Sequence, residues 1–277
     1  MNNTQSSRVK TFRRLHESGC FILPNPWDRG TARYLARIDF KALATTSAGF
    51  AFSRGLPDSV SAIKVDQMVK HVRDIVDSTT LPVNADFQNG YADDPESVAH
   101  NVNRCIETGV AGLSIEDSTG NREKPLYDDA LAVERIRAAR EAIDSSQIPV
   151  VLTARCEAWL VGHEQAQKVA IDRLVAFAEA GADCLYAPGV RELGDIATIV
   201  RAVAPKPVNA LVGRPGLTVS QLADLGVRRI SVGSALSRVA WGAFMRAAQE
   251  IAEAGTFEAF GDAAAHADLN ELFTESN

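Results

Sequence analysis

"LPVNADFQNGYADD" (residues 81–94) runs from an apolar segment into a carboxylate at Asp86, and then into a turn that contains Gln88, Asn89 and Gly90. A near-continuous apolar run of this length predicts a parallel β-strand that is buried on both faces. The acid therefore lies where the strand leaves the core. Its role depends on which other side chains end at the same place.

Seven further apolar runs of this kind are separated by longer segments with helical periodicity. Eight strands alternating with helices predict an α/β fold, a (β/α)8 barrel of the TIM type, whose usual length is about 250 residues. A doubly wound sheet also alternates strands with helices, but no GxGxxG motif follows the first predicted strand. The predicted strands are "CFILP" (20–24), "KALATT" (41–46), "LPVNADF" (81–87), "AGLSIED" (111–117), "PVVLTAR" (149–155), "CLYAP" (184–188), "PVNALV" (207–212) and "RRISVGS" (228–234).

A single domain over residues 1–277 is predicted, because no linker, internal repeat or low-complexity tract interrupts the chain. Residues 1–18 predict an extra helix before the barrel, and residues 235–277 predict a helical tail. The tail sequence "ALSRVAWGAFMRAAQEIAEAG" is more apolar than a helix that only covers a barrel requires. It therefore predicts a contact between subunits.

The composition narrows the class of partner. A formal net charge of −6 argues against nucleic acid and anionic membranes, which favour basic surfaces. The chain has no run of about 18 apolar residues and no apolar signal core at its start, so we expect a cytoplasmic protein. The four cysteines have neither CxxC nor metal-ligand spacing and are expected to be free thiols.

Acids end two neighbouring predicted strands, at Asp86 and Glu116, and Asp58 lies in the turn "RGLPD". Catalytic residues of (β/α)8 barrels gather at the carboxyl ends of the strands. Hard oxygen ligands without a histidine or cysteine cluster suit Mg²⁺ or Mn²⁺. Two alternatives remain open, a helix N-cap at Asp58 and a salt bridge from Glu116 to Arg155.

Arg155 ends the fifth predicted strand, where its guanidinium offers a bidentate contact to a carboxylate or phosphate. Charge balance for Glu116 or Glu157 is the alternative role. The turn "TTSAG" (45–49) supplies hydroxyls and N–H groups for an anion. No histidine or lysine ends a predicted strand, so hydrolysis by a nucleophile and Schiff-base chemistry lack their groups. Metal-assisted chemistry on a small anionic carbonyl compound remains.

Seven segments in unbroken order carry a family resemblance: "NPWD" (25–28), "TTSAGFAFSRGLPD" (45–58), "PVNADFQNGY" (82–91), "GLSIED" (112–117), "TARCEAWLVG" (153–162), "AEAGADCLYAP" (178–188) and "GVRRISVGSAL" (226–236). Over residues 10–255 the chain resembles the isocitrate lyase/phosphoenolpyruvate mutase superfamily. The resemblance implies a (β/α)8 barrel and a homo-oligomer, typically a tetramer that exchanges a C-terminal helix. It also implies Mg²⁺ and a 2-oxo carboxylate, or its enolate, as the ligand.

The same resemblance implies residue roles, carried over position by position. The implied substrate-binding residues are Thr46, Ser47, Ala48, Arg155 and Asn209. The implied metal ligands are Asp58, Asp86 and Glu116. The implied catalytic residues are Arg155, Glu116 and Asp58.

Two departures from the superfamily pattern matter. The third strand commonly carries D-x-D, but here Asn84 stands in the first position. The loop "DSTGNREKPLYDD" (117–129) lacks the cysteine of the lyase motif K-K-C-G-H, which argues against isocitrate or methylisocitrate cleavage by that route. We expect loop 118–128 to close as a lid, and Tyr127 and Glu157 are candidate proton donors.

These observations predict a Mg²⁺-dependent lyase that acts on a small 2-oxo carboxylate through an enolate, as in oxaloacetate decarboxylation. P–C chemistry on phosphonopyruvate or phosphoenolpyruvate is one alternative. A lyase for 2-methylisocitrate or dimethylmalate is another. From a different class, a non-catalytic protein that binds a 2-oxo acid also fits.

Overall fold

The computed structural model describes residues 3–274, in which eight parallel strands form one sheet. Each strand lies within one of the predicted apolar runs, so the eight predicted strands are confirmed. The strands are shorter than the runs, because the hydrogen-bonded ladder occupies only part of each buried segment. They are β1 (Phe21–Leu23), β2 (Leu43–Ala44), β3 (Val83–Asp86), β4 (Gly112–Glu116), β5 (Val151–Arg155), β6 (Cys184–Tyr186), β7 (Val208–Leu211) and β8 (Arg229–Ser231).

The strand order is β1-β8-β7-β6-β5-β4-β3-β2. At the remaining seam, between β1 and β2, the Ala44 N–H donates to the Pro24 carbonyl at 3.0 Å. The side chain of Asn25 crosses the same seam: its amide donates to the Thr45 carbonyl at 2.8 Å, and its oxygen accepts from two N–H groups that follow β8. The sheet is therefore a nearly closed barrel, and the predicted (β/α)8 fold is confirmed.

Helices surround the sheet, and those that pack on it bury one face. In the sixth, Ala132, Ile136, Ala139 and Ile143 recur every three or four residues and all are buried, as an amphipathic helix on a sheet requires. The helices are α1 (Asn3–Leu15), α2 (Arg29–Arg37), α3 (Ser47–Ser53), α4 (Val65–Val76), α5 (Pro95–Ile106), α6 (Asp129–Ser145), α7 (Ala166–Glu179), α8 (Leu193–Val203), α9 (Val219–Asp224), α10 (Ala235–Ala254) and α11 (His266–Thr274). None of these helices is long and apolar enough to cross a membrane.

Helix α1 covers the amino ends of the strands. The Gln5 amide donates to the carbonyl of Val110, just before β4, and Arg13 donates to the carbonyl of Pro149, just before β5. Phe12 is fully buried beneath the sheet. The predicted extra helix is thus present, and the first two residues of its predicted range lie outside the described residues.

The predicted helical tail consists of α10, a 3-10 helix (Glu258–Asp262) and α11, and its last three residues lie outside the described range. Helix α11 returns to the same chain, where Phe273 packs against α2. Much of the apolar surface of α10 stays exposed: Leu236, Val239, Trp241, Phe244, Met245 and Ile251. Exchange of the tail between subunits and the single-domain division stay predictions.

Candidate active site

The carboxyl ends of the strands surround a pocket of about 200 Å³. The predicted site residues that line it are Thr46, Ser47, Ala48, Asp58, Asp86, Arg155 and Asn209. Glu116 does not line the pocket, but its carboxylate lies 3.2 Å from the Arg155 guanidinium. The fold therefore brings all the predicted residues to one region, and their chemical roles stay predictions.

The guanidinium of Arg155, at the end of β5, contacts three carboxylates. Its Nη1 lies 2.8 Å from Asp86 Oδ1, and its Nη2 lies 3.2 Å from Glu116 Oε2 and 3.0 Å from Glu157 Oε1. The strand register explains the contact with Glu116, because this residue pairs directly with Arg155 between β4 and β5. We call these four residues the Arg155 cluster.

Acidic groups outnumber basic groups in this cluster. Burial and the neighbouring acids raise the pKa of Glu116 well above its usual value, although Arg155 opposes the shift. Burial also raises the pKa of Glu157 to about 7, again against the effect of Arg155. Burial alone would lower the pKa of Arg155, but the surrounding carboxylates raise it well above its usual value. A further positive charge would therefore be stabilised here.

Asp58 lies at the rim of the pocket, on the loop that precedes α4. The residue as a whole is exposed, but its carboxyl is partly desolvated, and this desolvation followed by the nearby charge of Asp86 raises its pKa. Helix α4 begins at Val65, with Lys64 as its N-cap residue. The alternative prediction of an N-cap role for Asp58 is therefore wrong.

The turn at residues 45–48 holds Asp86 in place. Both the N–H and the hydroxyl of Ser47 donate to Asp86 Oδ2 at 2.8 Å, and the N–H of Asp86 donates to the Thr45 hydroxyl at 2.8 Å. Thr46 caps α3 by accepting from the Gly49 N–H. Among the described residues the Ala48 N–H has no acceptor. Ser47, by contrast, directs both of its donors to the acid.

The donor set at the pocket fits a divalent cation that is bound partly through water. Within residues 3–274, no three histidine, cysteine, aspartate or glutamate side chains converge closely enough to enclose a metal ion. Mg²⁺ commonly binds through one or two carboxylates and completes its shell with water and substrate. Asp58 and Asp86 supply such oxygens, and among residues 3–274 the buried Oδ1 of Asn84 has no hydrogen-bond donor.

Sequence reasoning missed several residues that line the pocket: Ser114, Tyr186, Arg229 and Ser231. The register offers a signal for Tyr186, which pairs with Arg155 on one side and Asn209 on the other. The Arg155 guanidinium lies 5.0 Å from the centroid of its ring. Tyr127, a predicted proton donor, is engaged elsewhere, since its hydroxyl donates to Asp93 at 2.5 Å and it does not line the pocket.

The loop after β4 forms a small hairpin. Ser118 and Leu126 form an antiparallel bridge, and the Thr119 N–H donates to the Pro125 carbonyl at 3.0 Å. Residues 120–124 between them are exposed. Closure of this loop as a lid stays a prediction.

A (β/α)8 barrel with an arginine and several acids at the carboxyl ends of its strands has the form of an enzyme that handles a small anion. The chain matches the family model described as phosphoenolpyruvate phosphomutase over residues 12–252. It belongs to that family, and the predicted superfamily is confirmed.

Similar proteins support the same class. An uncharacterized protein of Mycobacterium tuberculosis (strain ATCC 25618 / H37Rv) is 35% identical over 227 residues, which cover 81% of this chain and 82% of that protein. The oxaloacetate decarboxylase of Pseudomonas putida (strain GB-1) is 30% identical over 236 residues, which cover 81% of this chain and 78% of that protein. A crystal structure from Burkholderia cenocepacia J2315, named only as a lyase/mutase, is 46% identical with a TM-score of 0.95, covering 100% of this chain and 99% of that one. The prediction of an enzyme of the lyase and mutase class is confirmed.

Proposed function

We propose that the chain is a divalent-metal-dependent lyase that cleaves a small 2-oxo carboxylate through an enolate, with oxaloacetate decarboxylation as its reaction. The observation that supports this most is the Arg155 cluster, which lies beside a pocket of about 200 Å³. A pocket of this size suits a four-carbon acid. The similarity to an oxaloacetate decarboxylase adds support for this choice of substrate.

In this proposal Asp58, Asp86 and Glu116 hold Mg²⁺ or Mn²⁺, directly or through water. When bound, such a cation supplies a Lewis acid that stabilises negative charge on the oxo group of the substrate. The raised pKa values of Asp58 and Glu116 agree with this, because acids that are crowded together become better ligands once a cation offsets their repulsion.

The residues of the chain itself bind and orient the substrate. Arg155 fixes the positions of Asp86 and Glu116 and adds positive charge beside the site where the enolate develops. The free N–H of Ala48 is a donor for a substrate oxygen, whereas Ser47 positions Asp86. The structure thus supports a division of the turn into one binding residue and one positioning residue.

Decarboxylation breaks the C3–C4 bond of oxaloacetate, so that C4 leaves as CO₂ and the electron pair becomes the enolate of pyruvate. C3 then takes up a proton. Tyr186 is the proposed donor, because it lines the pocket, and because burial, opposed by Arg155, raises its pKa to about 12 and keeps the phenol protonated. Solvent returns the proton to the phenolate.

We also propose a homo-oligomer, a dimer or a tetramer, that forms through the exposed apolar face of α10. The partners proposed are a small anionic 2-oxo acid and further copies of the chain, with neither nucleic acid nor membrane. The proposed location is the cytoplasm.

The test is an NMR time course with Mg²⁺ and four substrates: oxaloacetate, phosphonopyruvate, 2-methylisocitrate and 2,3-dimethylmalate. Asp86→Ala and Arg155→Ala run in parallel, because free Mg²⁺ decarboxylates oxaloacetate slowly. We expect wild type to form pyruvate from oxaloacetate at least 100-fold faster than either variant. If another of the four substrates is turned over faster, that substrate takes the place of oxaloacetate in the proposal. If wild type is no faster than Asp86→Ala on all four, the lyase proposal is wrong and a binding protein is favoured.

A further inference from the structure

The side chain of Arg229, the first residue of β8, is 2% exposed and lines the pocket. Its Nε donates to Asn209 Oδ1 at 2.8 Å, and its Nη2 donates to the Thr153 hydroxyl at 3.0 Å. Burial lowers the pKa of His16 to about 3, so this imidazole is neutral, and its Nδ1 donates to the Phe12 carbonyl at 2.7 Å. Its Nε2 therefore accepts from Arg229 Nη1 at 3.3 Å. A guanidinium can only donate, so Arg229 fixes the direction of all three bonds.

Asn209 passes this direction on to Ser231. Because Asn209 Oδ1 accepts from Arg229, the amide turns its NH₂ group the other way, where it donates to Ser231 Oγ at 2.9 Å. The Ser231 hydroxyl is also hydrogen-bonded to the phenol of Tyr186, and within residues 3–274 it has no other acceptor for its proton. Ser231 is therefore the donor and the Tyr186 oxygen is the acceptor. We call Arg229, Asn209, Ser231 and Tyr186 the Arg229 network.

The strand register brings this network together. Tyr186 pairs directly with Asn209 between β6 and β7, and Asn209 pairs with Arg229 between β7 and β8. Ser231 lies two residues after Arg229, so its side chain points to the same face of β8. On its other side Tyr186 pairs with Arg155, whose guanidinium lies 5.0 Å from the centroid of the phenol ring. All members of the network line the pocket.

The phenol of Tyr127 shows the contrast. Its hydroxyl accepts from the Asn89 amide at 2.9 Å and donates to Asp93 at 2.5 Å, so both of its hydrogen-bonding functions are used within the protein. The Tyr186 hydroxyl accepts from Ser231, but within residues 3–274 it donates to no acceptor. Because Tyr186 lines the pocket, its proton is available to a bound ligand.

We infer that Arg229, acting through Asn209 and Ser231, is a positioning residue that turns the phenolic proton of Tyr186 into the pocket. This inference rests on the proposed function, in which Tyr186 protonates C3, and adds the residues that make this phenol a donor. When the proton moves, the O–H bond of Tyr186 breaks and a C3–H bond forms, so the negative charge passes from the enolate to the phenolate oxygen. The hydrogen bond from Ser231 stabilises that charge and thereby lowers the pKa of the phenol.

The first test is a double-mutant cycle in steady-state kinetics on oxaloacetate with Mg²⁺. Ser231→Ala should lower kcat about tenfold and leave KM within about twofold of wild type, whereas Tyr186→Phe should lower kcat about 100-fold. In the Tyr186→Phe background, Ser231→Ala should cause no further loss, because it acts only through the phenol. Ser237→Ala is the matched control: it removes a buried hydroxyl on α10, outside the pocket, and should keep the wild-type kcat.

Asn209→Asp tests the direction of the hydrogen bonds without a change in size. A carboxylate at this position still accepts from Arg229, but it also accepts the Ser231 proton, which then no longer serves Tyr186. We expect kcat to fall at least tenfold, while the melting temperature stays at or above that of wild type because Arg229 gains an acidic partner. In the Tyr186→Phe background, Asn209→Asp should cause no further loss of kcat, which separates this effect from the added charge.

A second measurement follows the phenol itself and needs no turnover. Replacing the four tyrosines with 3,5-difluorotyrosine lowers their pKa values, so that Tyr186 ionises while the protein is folded. Fluorine NMR records the titration, and loss of the resonance in Tyr186→Phe assigns it. The charged groups that act on this phenol are Arg155, Glu157 and Asp86, which Ser231→Ala leaves in place. Ser231→Ala should raise the pKa of the phenol by about 1, and Ser237→Ala should leave it unchanged.

A loss of kcat from Ser231→Ala that is as large in Tyr186→Phe as in wild type would overturn the inference. So would a phenol pKa that Ser231→Ala leaves unchanged, or a wild-type kcat in Asn209→Asp. The proposed function fails separately. If no substrate is converted but Ser231→Ala raises the phenol pKa, the network stands and the lyase proposal is wrong. If pyruvate forms and Tyr186→Phe keeps the wild-type kcat, the lyase proposal stands and the inference is wrong.

Discussion

Glu116 and Asp117 are adjacent acids at the end of β4, and they belong to opposite kinds of environment. Glu116 joins the Arg155 cluster beside the pocket, where acids outnumber the arginine. Asp117 is 2% exposed, lies 2.7 Å from Arg173 and accepts from the Glu157 N–H at 2.8 Å. Both oxygens of Asp117 are thus satisfied, whereas Glu116 shares one guanidinium with two other carboxylates.

The contrast teaches how the same residue types divide between stability and function. The Arg173 cluster, made of Arg173, Asp117 and Asp129, does not line the pocket and joins the start of α6 to the loop after β4. The Arg155 cluster keeps uncompensated acids next to a pocket, an arrangement that costs stability and suits ligand binding. Substitutions in the two clusters should therefore separate activity from stability.

Glu116→Gln should give the largest change, a loss of about 10³-fold in kcat on oxaloacetate, within the range for a group that takes part in the chemical step. Its free energy of unfolding in EDTA should equal or exceed that of wild type, because an uncharged amide removes repulsion inside the cluster. Steady-state kinetics and urea unfolding measure the two effects. If Glu116→Gln stays active but is less stable than wild type, Glu116 contributes to stability and not to activity.

Asp117→Asn should lower the free energy of unfolding by about 3 kcal/mol, since the acid that still contacts Arg173, Asp129, is exposed. Its kcat per folded molecule should stay within about threefold of the wild-type value. Urea unfolding and active-site-normalised kinetics provide the test. A loss of kcat as large as that of Glu116→Gln would show that the Arg173 cluster belongs to the active site.

Glu157 connects the two clusters and should give the protein a pH-dependent stability. Its pKa is raised to about 7, so unfolding lowers that pKa and releases a proton at neutral pH. The stability that Glu157 confers is therefore full below its unfolded pKa and is lost as the pH rises through about 7.

Glu157→Gln should remove this dependence, so that its stability relative to wild type rises by about 2 kcal/mol between pH 5 and pH 8 in EDTA. Chemical unfolding at a series of pH values measures the difference. Glu123→Gln, on the exposed hairpin, is the matched control and should track wild type. A flat difference for Glu157→Gln would contradict the crowding of acids around Arg155.

Asp129→Ala should have the smallest effect, at most about 0.5 kcal/mol of unfolding free energy. Asp129 lies 2.6 Å from Arg173, closer than Asp117 does, but its side chain is 85% exposed. Comparison with Asp117→Asn therefore separates the effect of burial on the free energy of unfolding from the effect of the distance to Arg173. Equal losses in the two variants would show that distance alone determines these contributions.

Most of the barrel could be predicted from the sequence, because each buried parallel strand leaves a near-continuous apolar run. Even β2, with only two residues, lies in such a run, "KALATT". The start of α4 could not be predicted, since "SVSAIK" has apolar residues at helical spacing. The structure instead leaves these residues in the loop before Val65.

The rim of the site could be predicted because polar residues at strand ends interrupt apolar runs, as at Asp86, Glu116 and Arg155. The deeper lining of the pocket could not be predicted. Arg229 stands at the beginning of its strand, where a charged residue usually reaches solvent, and only the register places its side chain inside the barrel beside Asn209. Tyr186 looked like one more apolar strand residue.

The seam between β1 and β2 has a mechanical consequence. In the described part of the chain, seven neighbouring strand pairs form ladders, whereas β2 contacts β1 through one backbone hydrogen bond, from Ala44 to Pro24, and through the side chain of Asn25. The barrel is thus an eight-stranded sheet whose two end strands, β1 and β2, are joined by few hydrogen bonds. We expect the barrel to open first between these two strands. The turn that holds Asp86 follows β2 directly. A ligand bound at this turn should therefore stabilise the contact between β1 and β2.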